Sequence, residues 1–169
     1  MNPEQKAAVE VAENLHSIEE FERDVEPAIV AARNEFLTQE TIIGLFENDF
    51  INELYPDDSP LYRLISRTYI FVETDIGRIR DVYDAKLKPL GFTLSEKHDP
   101  EMVLLLWTNP SYSASVDVIT HVGIQSSTSY SAGPLRSDGS SENPSVFLPL
   151  EGRVPEWMTP ELTEKYREQ

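Results

Sequence analysis

The stretch "MVLLLWTNPSYSASVDVITHVGIQSSTSY", residues 102–130, decides the fold. Met102 to Thr108 is continuously apolar and suits a central strand buried on both faces. Asn109-Pro110-Ser111 turns the chain. Ala114, Val116, Val118 and Thr120 then alternate with Ser115, Asp117 and Ile119, the period of two that a strand requires. Val122 to Tyr130 follows a tight turn near His121 to Gly123. Three such segments in succession predict an antiparallel meander.

Working outward, the pattern on the N-terminal side alternates strand and helix. Ser66 to Thr74, SRTYIFVET, is rich in β-branched and aromatic residues and reads as a strand. Asp75 can cap the helix that follows, whose Ile76, Ile79, Val82, Tyr83, Leu87 and Leu90 share one face. Pro89 and Gly91 end it, Phe92 to Glu96 is a short strand, and KHDPE is a turn.

The first 60 residues read as helices. Pro3 fits the first turn of a helix running to about Asn14. Ser17 and Glu20 have the spacing of a capping box. After them Ile18, Phe21, Val25, Ile29, Ala32 and Phe36 form an apolar stripe that Pro27 should kink or split. Thr38 or Thr41 could cap a further helix with Ile42, Leu45 and Phe46 inward, and PDDSP, residues 56–60, is a turn. Residues 131–156 are rich in Ser, Gly and Pro and read as loop, and Thr159-Pro160-Glu161 starts a last short helix.

The expected fold class is α+β: N-terminal helices, then an antiparallel sheet in a β-α-β-β-β-β meander with helices packed on one face. One domain should span 1–130, with an acidic helical part at 1–60 and a β-rich part at 61–130. A Ser/Pro-rich tail with a short C-terminal helix should occupy 131–169.

Charge is the strongest compositional signal. The net charge is -16, and half of the 30 acids fall within residues 1–60, against Lys6, Arg23 and Arg33 alone among the bases. Such a surface repels phosphates and anionic lipids, which argues against direct nucleic-acid or membrane contact and favours a basic protein partner. The absence of cysteine excludes disulfides, thiolate metal sites and cysteine nucleophiles. No run approaches the ~18 apolar residues of a membrane span. The start MNPEQKAAVEVAEN has no basic or apolar leader character, so a cytoplasmic location is expected as written. An extracytoplasmic one follows if a leader has been removed upstream of Met1.

Catalytic signals are weak. His16, His98 and His121 lack metal-ligand spacing, and turn histidines are usually solvated. Ser126, Ser127 and Ser129 cluster without a G-x-S-x-G elbow and read as an exposed sheet face. Phosphate-binding glycine loops are absent, and DGSSEN, residues 138–143, lacks the acid spacing of a calcium loop. Asp57-Asp58 could touch a cation weakly. No catalytic residue, cofactor or metal is expected, and the chain is read as non-enzymatic.

The expected contact set is acidic. Glu19, Glu22 and Glu26 lie on one flank of the apolar stripe at 100° per residue, with Asp24 on the other side. Glu47, Asp49 and Glu53 extend the acidity, and Asp57 and Asp58 continue it. Capping accounts for Glu19 and Glu20, and the remainder either solubilises the helix or docks a basic protein. Trp107 should be core. Trp157, in VPEWMTPEL, either pins the tail or anchors a partner.

Two segments carry a resemblance: "DIGRIRDVYDAKLKPLGF" and "LLLWTNPSYSASVDVITHVGIQSSTSY". With the strand before them, residues 66–130 resemble small actinobacterial lipoprotein domains of the LppA-like kind. The resemblance implies an extracytoplasmic accessory or binding domain without a known catalytic site, although the lipid-bearing cysteine and leader are missing here. Two functions follow. The first is an inhibitor or immunity-type protein neutralising a basic toxin or nuclease. The second is the mature accessory domain of such a lipoprotein.

Overall fold

The computed structural model describes residues 2–48, 53–54 and 61–167. Three helices open the chain: α1 (Pro3–Glu13), α2 (Ile18–Asp24) and α3 (Glu26–Asn34). Asn2 caps α1, and the Ser17 hydroxyl accepts from Glu20 N–H at 3.1 Å to cap α2. The break between α2 and α3 falls at Val25, two residues before Pro27, so the proline splits the helix. The stripe stays continuous across the break: Ile18, Phe21, Val25, Ile29, Ala32 and Phe36 are all buried.

Among the described residues eight strands form one antiparallel sheet: β1 (Ile42–Phe46), β2 (Glu53–Leu54), β3 (Leu61–Ile65), β4 (Thr68–Phe71), β5 (Thr93–His98), β6 (Met102–Asn109), β7 (Ala114–His121) and β8 (Gln125–Leu135). The main order is β1-β4-β8-β7-β6-β5, with β3 also on β8 and β2 on β3. The helix α4 (Ile76–Leu87), capped by Asp75, buries Ile79, Tyr83 and Leu87. Its Tyr83 stacks on Trp107 with ring centroids 5.0 Å apart, and Trp107 Nε1 donates to Asp84 Oδ1 at 2.8 Å. The α+β class and the β5-to-β8 meander are as the sequence predicts.

Four local expectations change. Residues 42–46 form β1, not a helix: Gly44 weakens a helix, the two preceding isoleucines favour extended chain, and Leu45 pairs with Tyr69 of β4. The Thr41 hydroxyl donates to Phe36 O at 2.6 Å instead of capping a helix. The strand read at 66–74 is shorter, β4 at 68–71, and β3 precedes it unread; Ser66, between the two, bonds the backbone of Tyr130. Strand β6 lies beside the edge strand, and its apolar run is buried on one face only, through Val103, Leu105 and Trp107.

The fourth change is the largest. Residues 131–135 belong to β8, so a boundary at 130 cuts a strand, and the rest of the segment packs on the core through Leu150 and Met158. Two short helices lie in it, α5 (Pro144–Phe147) and α6 (Pro160–Tyr166). Gly152 brings the chain against the β3–β4 junction at φ 84°, where an added Cβ would lie 2.8 Å from the Ser66 Cβ. That close approach places the next residue, Arg153, over the N-terminal helices.

Candidate functional site

The acids of the helical region do not make one surface. Glu19 is buried, 6% exposed, and its carboxylate accepts from Ser137 Oγ at 2.6 Å, Ser141 Oγ at 3.1 Å and Asp138 N–H at 2.9 Å. It therefore ties down the 137–141 loop. Glu26 is fully buried and accepts from the Tyr130 hydroxyl at 2.6 Å. Arg153 Nε lies 3.0 Å from Glu26 Oε1, an ion pair without hydrogen-bond alignment, and the same guanidinium pairs with Glu22. Burial pushes the Glu26 carboxyl above its ordinary value, against the lowering effect of Tyr130 and Arg153. Burial likewise raises the Tyr130 hydroxyl, and the Glu26 charge adds to it.

Arg33 completes this hub. It is 2% exposed, donates from Nη1 to Arg153 O at 2.8 Å, and lies over the Tyr69 ring at 5.0 Å. Asp24 is exposed and pairs with Arg23, whose hydrogen bonds hold its carboxyl below the usual range. Glu47 pairs with Arg167 at 2.7 Å and Arg67 at 3.6 Å. Asp49, Asp57 and Asp58 lie outside the described residues, and of Glu53 only the backbone strand is described. The expected docking flank is thus corrected: Glu19 and Glu26 face inward, and Glu22 and Glu47 are engaged by arginines of the C-terminal segment. The flank that helical geometry leaves open is covered by chain more than 100 residues away.

What remains open is a groove of about 520 Å³ between α3, residues 37–40 and residues 153–157. Val30, Leu37, Val154 and Trp157 give it apolar walls. Asn34, Gln39, Glu40 and Glu156 supply polar groups, and Arg153 closes the inner end. Glu40 and Glu156 are exposed and make no ion pair among the described residues. Trp157 is half-buried against the core, as the pinning role requires, and it also lines the groove. Sequence reasoning missed Glu40 and Glu156. The only signal for them is the acid beside a tryptophan in VPEWMTPEL, which means little until the segment is known to pack on α3.

The remaining candidates lie elsewhere. His16 stacks on Tyr112 and contacts Glu20, His98 bonds Glu96 at 2.9 Å, and His121 is exposed at the end of β7. Ser126 is buried, bonded to Thr120 at 2.8 Å, while Ser127 and Ser129 face the opposite side of the sheet. Among the described residues no cluster of three or more His, Asp or Glu could hold a metal ion, and no helix is long and apolar enough to cross a membrane.

A family described as "Domain of unknown function (DUF4853)" matches residues 14–143. The fold is similar to the crystal structure of a DUF4853 family protein from Actinomyces odontolyticus ATCC 17982. That pair shares 13% identity with a TM-score of 0.50, over 79% of this chain and 76% of the other. No curated protein matches this chain. None of these comparisons links the chain to LppA-like lipoproteins, so the resemblance read in residues 66–130 is replaced by DUF4853.

Proposed function

The chain belongs to the DUF4853 family, whose description assigns no activity, and from that premise we propose a non-enzymatic domain that binds a basic protein partner. The partner class is a toxin or nuclease, held in the manner of an inhibitor or immunity protein. One observation carries this reading: the groove combines apolar walls with two exposed carboxylates, Glu40 and Glu156, that make no ion pair among the described residues. Trp157, Val30 and Leu37 offer a desolvated seat for the aliphatic or aromatic part of an incoming side chain. The carboxylates complement a lysine or arginine head at the rim. A net charge of -16 adds long-range attraction, which raises the association rate and weakens in salt. The acids that bind are then the rim pair and not the buried Glu19 and Glu26.

The test is capture of basic proteins from the source lysate by immobilised protein, repeated with a Glu40→Lys, Glu156→Lys variant. The expected result is a basic protein held by the native chain, released at moderate salt, and bound at least about tenfold more weakly by the variant. Glu10→Lys, a reversal on α1 far from the groove, should leave capture unchanged. A partner that binds both reversed variants equally overturns the groove reading.

A further inference from the structure

The sheet face turned away from the helices carries a second concavity. Strand register puts Ser115 beside Ser131, Asp117 beside Ser129, and Ile65 beside Ser131, all on that face. A cavity of about 230 Å³ opens there, lined by Arg63, Thr68, Ser115, Asp117 and Ser131 with Asn48 at its border. Pockets for drug-sized ligands run from about 300 Å³ upward, so this one suits something smaller.

Its charges are uncompensated. Arg63 makes no ion pair among the described residues, and its buried Nε has no hydrogen-bond partner there. Asp117 accepts from Ser129 Oγ at 3.1 Å but makes no ion pair among the described residues, and burial raises its carboxyl above the ordinary range. A guanidinium and a carboxylate line one cavity without pairing with each other. An anionic ligand would leave Asp117 alone, and a cationic one would leave Arg63 alone. A ligand with both charges satisfies both, and buried charge is costly until it is paired. The hydroxyls of Ser115 and Ser131, 3.2 Å apart, and of Thr68 add short polar contacts.

We propose that this face binds a small zwitterion of the α-amino-acid class, its carboxylate on Arg63 and its ammonium on Asp117. The site shares no residue with the groove and stands independently of the function proposed for it.

The experiment titrates the full ¹⁵N-labelled chain with each of the twenty L-α-amino acids. Sodium acetate, methylammonium chloride and glucose serve as single-charge and uncharged controls. The expected result is that at least one amino acid shifts the amides of Asp117, Ser129 and Ser131 while the controls do not. Asp117→Asn and Arg63→Gln should each weaken that binding about tenfold or more, and Glu40→Gln should leave it unchanged. Arg63→Lys, which keeps the charge, should bind more tightly than Arg63→Gln, which separates recognition from misfolding. No shift with any amino acid overturns the proposal. So does an equal shift with acetate, methylammonium or glucose, or binding that survives both charge-removing variants.

Discussion

Two sets of carboxylates in this protein share one chemistry and behave in opposite ways. Glu19 and Glu26 sit beside the α2–α3 stripe and are consumed inside the fold by Ser137, Asp138, Tyr130 and Arg153. Glu40 and Glu156 come from connecting segments, line the groove and make no ion pair among the described residues. The difference teaches that high local acid density does not make an acidic surface. What matters is which basic and hydroxyl groups the rest of the chain folds back onto it.

The sharpest way to break this contrast is to remove the cation that the inner set depends on. Arg153→Ala leaves the buried Glu26 with Tyr130 as its remaining side-chain partner, and should cost about 3 kcal/mol in urea unfolding. A cost below about 0.5 kcal/mol, the level of an ordinary surface change, would place Glu26 with the rim acids. Next comes Glu19→Ala. It deletes the acceptor of three hydrogen bonds and should cost about 2 kcal/mol, with faster amide exchange confined to residues 137–141. Unchanged exchange in that loop would show that Glu19 does not hold it.

The smallest effect concerns pH. Burial raises the Glu26 carboxyl above its ordinary value of 4.5, so the folded chain holds that proton more tightly than the unfolded chain. The stability this confers is fully present below 4.5 and is lost as pH rises through the raised folded value. Native protein should therefore gain stability relative to Glu26→Gln as pH falls through that window. Comparing the two chains cancels the opposite contribution of Asp24, Glu96, Asp99 and Asp138, whose carboxyls are lowered. A difference that shrinks on acidification would mean that Arg153 outweighs burial.

Much of the fold was legible because it is written in local periods. The alternation from Ala114 to Thr120 and the stripe from Ile76 to Leu90 each name their own element, and both elements are present. Residues 42–46 misled because Ile42, Leu45 and Phe46 fit a helical spacing, while the partner that makes them a strand, β4, lies more than 20 residues on. The segment after Tyr130 misled by composition: Gly133 and Pro134 read as loop, yet they extend β8 beside β3. The site was legible only at Trp157. Its rim acids and the internal partners of Glu19, Glu22 and Glu26 arise from contacts across more than 100 residues, which no local pattern carries.

Arg153 also sets an order of events. It lies 131 positions after Glu22 in the chain that a ribosome delivers residue by residue. Until it emerges, Glu22 and Glu26 lack the cation that pairs with both of them in the finished fold. Both acids are therefore made long before the arginine that neutralises them in the fold.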